Sequence, residues 1–189
     1  GEKTSLHIYD IPQLYSEMRR IFCSEATRKA YPHELVAYIT TECNFGCPVC
    51  YIDANHCKDK ELFVDDILRI AQKYKGRFIH FSGGEPTIRE DLFKMVKAVK
   101  NLGFKVGLFS NGSKFGDYDF VCKCKEAGVD LIILSFEGLN DDVYLQLKGQ
   151  KLLSIKLKAL ENIRKSGINL YLFCSVAAGV NDSQIVPLL

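Results

Sequence analysis

The 189-residue sequence predicts an α/β fold, a partial (βα) barrel of parallel strands behind an N-terminal helical extension. Three observations predict it. Five short runs rich in Ile, Val, Leu, Phe and Tyr are bounded by Gly, Asn or Asp. Segments of helical periodicity fall between these runs. The strand–helix–strand unit recurs about every 25 to 35 residues, the pattern of right-handed crossovers in a parallel sheet.

Residues 1–34 show no alternation. From Ile11 to Lys29, apolar Leu14, Met18, Ile21 and Phe22 mark one amphipathic helix that Tyr31-Pro32 ends. The strands follow at Leu35 to Thr40, Arg77 to Phe81, Lys105 to Phe109, Leu131 to Ser135 and Asn169 to Val176. Between them, Ile67, Ile70, Ala71 and Tyr74 form one apolar stripe, and Leu92, Met95, Val96 and Val99 form a second. A short helical turn spans Val143 to Leu147, and Leu153, Leu157, Leu160 and Ile163 make a third stripe. Asn181-Asp182 reads as a helix cap after the fifth strand. A closed barrel of this kind needs at least one more strand, so residues 35–189 are expected to supply five of six βα units, truncated before the last strand.

Composition sets bounds on function. With 47% hydrophobic and 25% charged residues the chain can bury one sizeable core, so one globular unit is the expectation. The net charge of +2 comes from Lys and Arg scattered along helices, which leaves no electrostatic footprint for nucleic acid. No apolar run approaches the roughly 18 residues of a membrane span, and the first residues lack the regions of a secretory signal, so a cytoplasmic location is expected. Of the eight cysteines three crowd into residues 43–50, which argues for metal ligation in a reducing compartment over a disulfide framework.

The densest chemistry lies just after the first strand, where Cys43, Cys47 and Cys50 stand in a C-x3-C-x2-C spacing. Iron–sulfur clusters are held by thiolates, four for a closed cluster, so three leave one iron open to another molecule. Gly46 allows the unusual torsions needed to wrap a cluster, and Pro48 restricts the turn. A structural zinc site with Cys57 or His56 as fourth ligand is the alternative, although zinc sites are usually built from paired C-x2-C units. After the second strand comes Ser82-Gly83-Gly84-Glu85-Pro86-Thr87. Its glycines let backbone approach a ligand, and Glu85 offers a carboxylate suited to an ammonium. Such a turn is also an ordinary strand-to-helix connection, but it stands at the C-terminal end of a barrel strand, where sites in these folds are built.

Together, C-x3-C-x2-C after the first strand and Gly-Gly-Glu-Pro after the second resemble the radical S-adenosylmethionine (SAM) superfamily. Ser110-Asn111-Gly112, Ser135-Phe136-Glu137-Gly138 and Ala177-Ala178-Gly179-Val180 extend the resemblance over roughly residues 35–182. The resemblance implies a 4Fe-4S cluster on Cys43, Cys47 and Cys50, with SAM chelating the open iron. It implies that Gly83, Gly84, Glu85 and Pro86 meet the methionyl ammonium. Ser110, Asn111, Ser135 and Glu137 would take the ribose and carboxylate, and Ala178 and Gly179 would border the adenine. An electron donor such as flavodoxin or ferredoxin and an unidentified substrate are the implied partners. The chemistry is SAM cleavage to a 5'-deoxyadenosyl radical, with C–C bond formation or methylation among its outcomes. The family's aromatic before the third cysteine is Val49 here, which excludes stacking at that position and leaves a backbone contact; Tyr51 follows instead. Glu137 stands where Asp is common. The segments 47–51, 138–144 and 179–182 look closest to a branch that includes archaeal tetraether lipid synthases and related methylase-like enzymes.

Other reactive residues have plainer readings. Cys122 and Cys124 sit two apart in a helix and face different ways. Cys174 reads as strand core and His80 as a satisfied core histidine, while Cys23 and Cys57 are the available extra ligands. A non-catalytic iron–sulfur or zinc module for redox sensing or binding is the competing function.

Overall fold

The computed structural model describes residues 33–56 and 61–188. The helix expected over 11–29, and with it Cys23 and Cys57, lies outside the described residues.

Strands β1 (Glu34–Thr40), β2 (Phe78–Gly83), β3 (Lys105–Ser110), β4 (Leu131–Ser135) and β5 (Asn169–Phe173) form one sheet in the order β1-β2-β3-β4-β5. All four pairings are parallel. Each strand is joined to the next through helix: α1 (Val64–Lys73), α2 (Leu92–Asn101), α3 (Tyr118–Ala127), and then α4 (Asp141–Lys148) with α5 (Leu153–Ser166). A short α6 (Ile185–Leu188) follows β5.

Strand residues alternate between two environments, as the two-residue period requires. Ala37, Ile39, Ile79, Phe81, Val106, Leu108, Ile132 and Leu134 pack against Ile67, Ala71, Met95, Val96, Val99, Val121 and Ile163 of the helices in one core. Burying a side chain such as Phe81 or Met95, each fully inaccessible, contributes about 1.5–3 kcal/mol. On the other face Val36, Tyr38, Phe109, Ile133 and Phe173 line an open cavity.

Two expected elements differ from the structure. The third apolar stripe is only part of the buried face of α5: Leu153, Leu160 and Ile163 pack on the core, Leu157 is half exposed, and Lys156, Ala159, Asn162 and Ser166 also face inward. The reason lies in what α5 covers. It lies across the 3-10 turn Ser113–Gly116 that follows β3, and Asn162 Nδ2 donates to Phe115 O (2.8 Å) and Gly116 O (2.9 Å) of that turn, so a polar side chain is required there. The fifth strand stops at Phe173, not Val176. Cys174 therefore follows the strand, half-buried, with its thiol near Glu137 O at 3.8 Å. Asn181 does occupy an N-cap position, yet its side chain makes no cap bond. It is fully buried and donates to Glu137 O (2.8 Å) and Ser175 O (2.9 Å) while accepting from Ala177 N (2.7 Å).

His80 is buried, as expected of a core histidine, but neither ring nitrogen makes a hydrogen bond. Its ring stacks on Phe78 and meets Phe109 edge-on, with Glu34 Oε2 at 3.5 Å from Nε2. Room for it comes from Gly107 on β3, where a Cβ would stand 2.1 Å from His80 Nδ1.

Candidate functional site

The cavity opens at the C-terminal ends of the strands and has a volume of about 930 Å³. It brings together Cys43, Cys47, Cys50, Val49, Tyr51, Gly83, Gly84, Ser110, Asn111, Ser135 and Glu137. Glu85, Pro86, Ala178 and Gly179 are not in its wall.

The cysteine loop hangs from the end of β1 and is held by its own backbone. Phe45 N–H donates to Cys43 Sγ (3.4 Å) and Ala54 N–H to Cys50 Sγ (3.3 Å). Asn55 Oδ1 accepts from Cys43 N (2.8 Å). Beneath the loop a second small core of Phe45, Tyr144 and Leu152 packs on Cys43 and Cys47. Burial pushes the Cys43 and Cys47 thiols above their ordinary value; Phe45 N–H opposes this at Cys43 and the Lys148 charge opposes it at Cys47. Among the described residues no three His, Cys, Asp or Glu side chains converge tightly enough to hold a single ion. His56, one of two fourth ligands offered by the zinc alternative, is exposed and pairs with Asp53 at 3.0 Å.

The glycine turn packs against the cysteine segment rather than standing free. Gly84 N donates to Thr40 O and Glu85 N to Glu42 O, both at 2.8 Å. A Cβ at 83 or 84 would collide with Thr40 O or Glu42 O at 2.1 and 2.0 Å, and Gly83 has φ +128°, so both positions require glycine. Glu85 corrects the expectation of a free carboxylate. It is fully buried and accepts from Thr87 N (3.1 Å), Thr87 Oγ1 (2.6 Å), Ser110 Oγ (2.8 Å) and Asn111 N (2.6 Å). Burial pushes its carboxyl upward and these four bonds oppose the shift. Glu85 thus ties the glycine turn to the Asn-Gly turn after β3. Asn111 carries the tie onward, donating to Asn44 Oδ1 (2.9 Å) and approaching Cys43 Sγ (3.9 Å).

Beyond Ser135 the site is charged, and sequence reasoning missed most of it. Lys156, fully buried, donates to Asn111 O (2.7 Å), Ser135 O (2.6 Å) and Ser135 Oγ (2.9 Å). Desolvation pulls its ammonium down to about 8, against the attraction of Glu137. Glu137 is fully buried, 2.9 Å from Lys148 Nζ and 4.0 Å from Lys156 Nζ. Neither of its oxygens makes a hydrogen bond of good geometry, despite the short ion pair. Lys156, Asn162 and Ser166 face inward beside Ala159 and Ile163, and no apolar spacing marks them. Tyr38 was also missed; its ring stands 6.3 Å from that of Tyr51, and both line the cavity.

Comparison with known proteins gives this arrangement its family. The radical SAM superfamily model matches residues 37–189, and the chain belongs to that superfamily. A 7,8-dihydro-6-hydroxymethylpterin dimethyltransferase of Methanocaldococcus jannaschii is 37% identical over 155 residues, 78% of this chain and 31% of that protein. A probable GTP 3',8-cyclase of Thermococcus kodakarensis is 30% identical over 151 residues, 78% of this chain and 48% of that one. The chain therefore spans less than half the length of these relatives. Streptococcus suis SuiB bound to S-adenosylmethionine shares the fold at TM-score 0.68 and 22% identity, over 97% of this chain and 44% of that one. Methylornithine synthase does so at TM-score 0.62 and 18% identity, over 89% and 51%. The fold is thus the partial barrel expected from the sequence. Among the described residues no helix is long and apolar enough to cross a membrane.

Proposed function

We propose that residues 35–189 form the cluster- and SAM-binding part of a radical SAM enzyme. Cys43, Cys47 and Cys50 would hold a 4Fe-4S cluster whose fourth iron is left for SAM. The observation that carries this reading is that the three thiols share one cavity wall with Ser110, Asn111, Ser135 and the Glu137 carboxylate. The donor set fits the group. Two sulfurs already accept backbone N–H bonds, which suit thiolates on iron.

When bound, the reduced cluster supplies the electron that cleaves SAM to methionine and a 5'-deoxyadenosyl radical, which takes a hydrogen atom from substrate. The chain's own residues hold and orient. Glu137 accepts from the ribose hydroxyls, and the longer Glu side chain keeps its carboxylate in the cavity because Lys148 and Lys156 anchor it. Backbone at Gly83 and Gly84 meets the methionyl ammonium, with Glu85 and Pro86 shaping that turn from behind. Ala178 and Gly179 border the adenine through backbone that Asn181 fixes to the end of β4. Val49 contributes backbone, and Tyr51 with Tyr38 walls the side on which substrate enters. Flavodoxin or ferredoxin is the electron donor of this reading. Relatives act on a pterin and, by name, on GTP; the substrate here is left as a molecule with an abstractable C–H.

Anaerobic reconstitution with iron and sulfide, then dithionite and SAM, is expected to release 5'-deoxyadenosine, measured by liquid chromatography. Cys43→Ala, Cys47→Ala and Cys50→Ala should each lose the cluster absorbance. A loaded cluster that leaves SAM intact, or a cysteine variant with a full 4Fe-4S spectrum, overturns the reading.

A further inference from the structure

We infer that Lys148 is the charge that holds up the reduction potential of the cluster, and that Glu137 opposes it. The inference rests on the function proposed above and concerns a lysine to which neither the cysteine motif nor the glycine turn assigns a role.

The geometry places Lys148 beside one corner of the cysteine loop. It is the last residue of α4, and Gly149, with φ +75°, caps that helix against the loop. A Cβ at 149 would lie in contact with Pro48 Cδ (3.6 Å) and near Gly46 O (3.8 Å), so the helix end touches the residues on either side of Cys47. The small core of Phe45, Tyr144 and Leu152 fixes α4 to the same loop. Lys148 is only 17% exposed and lines the cavity together with Cys47.

A cluster held by three thiolates is anionic and gains further negative charge on reduction. A fixed cation nearby stabilises the reduced form more than the oxidised one, and net charge is a principal determinant of such potentials. Restricted solvent access at Lys148 weakens screening, so the effect survives in salt. The Glu137 carboxylate, 2.9 Å from the ammonium, works in the opposite sense. The pair makes the cluster environment adjustable in both directions by single substitutions. A lysine that merely clipped α4 to β4 would leave the potential unchanged when replaced by another residue that folds.

The test is a redox titration of reconstituted protein without SAM, followed by electron paramagnetic resonance of the reduced cluster. K148Q is expected to shift the midpoint negative, E137Q to shift it positive, and K148R to restore the wild-type value. A loaded K148Q cluster with an unmoved or more positive midpoint overturns this inference alone. Wild-type protein that fails to assemble a 4Fe-4S cluster overturns the proposed function and this inference together.

Discussion

Replacing Lys156 with Met removes a buried cation while keeping nearly the same volume, so no cavity contributes to the result. What is lost is the donor to Asn111 O, Ser135 O and Ser135 Oγ, at 2.6–2.9 Å, and one of two cations near Glu137. Hydrogen bonds from a charged group contribute about 1.5–3 kcal/mol each, but these three share one nitrogen and do not add. Breaking a buried charged cluster by removing one partner costs about 3–5 kcal/mol, and that is the expected loss. Urea unfolding followed by circular dichroism should show the midpoint falling with unchanged slope, by roughly 2 M for a slope of about 2 kcal/mol/M. The pH dependence adds a second signature. The folded amine titrates at about 8 against an ordinary 10.5, so between those values the unfolded chain holds the proton that the folded chain has released. Wild-type stability relative to K156M must therefore rise with pH across that window. A loss below about 1 kcal/mol, or a flat difference from pH 8 to 10.5, would refute the reasoning.

Gly107→Ala should cost about 1–3 kcal/mol through collision with the His80 ring, and H80A should recover most of it in the double variant, read by thermal unfolding. For His80 itself, burial lowers the imidazole below its ordinary 6.5, with Glu34 opposing. Stability is then complete above pH 6.5 and declines as the pH falls below it, because the unfolded chain takes up a proton first. H80F should flatten that decline in urea titrations between pH 5 and 7. Asn181→Ala leaves two carbonyls and an N–H without partners, an expected loss of about 2–4 kcal/mol. Its SAM affinity by calorimetry should fall further than that of a destabilised core variant such as Val96→Ala.

The strands and α2 were legible because the chain obeys simple periods there: Leu92, Met95, Val96 and Val99 are buried as their spacing requires. The cysteine and glycine motifs were legible because their chemistry is local, and the cavity gathers Cys43, Cys47, Cys50, Gly83 and Gly84. Helix α5 was read only in part, because hydrophobic spacing finds Leu153, Leu160 and Ile163 on the core but cannot show that Lys156 and Asn162 meet backbone carbonyls at or beyond the ends of β3 and β4. Glu85 was misread for a related reason. A carboxylate beside two glycines looks free in one dimension, whereas folding brings Ser110 and Asn111 to it from the next strand. Lys148, Lys156 and the inward turn of Asn181 depend on contacts made far along the chain, and no local pattern announces them.

The order of the strands bears on how the molecule is made. Every strand pairs with its predecessor, so a chain emerging from the ribosome can add each unit to a sheet already begun. The cysteines come with the first strand, yet the floor beneath them, Tyr144 and Leu152, is synthesised three strands later. The loop thus waits for its support until α4 and Leu152 have been made, one strand before the sheet is complete.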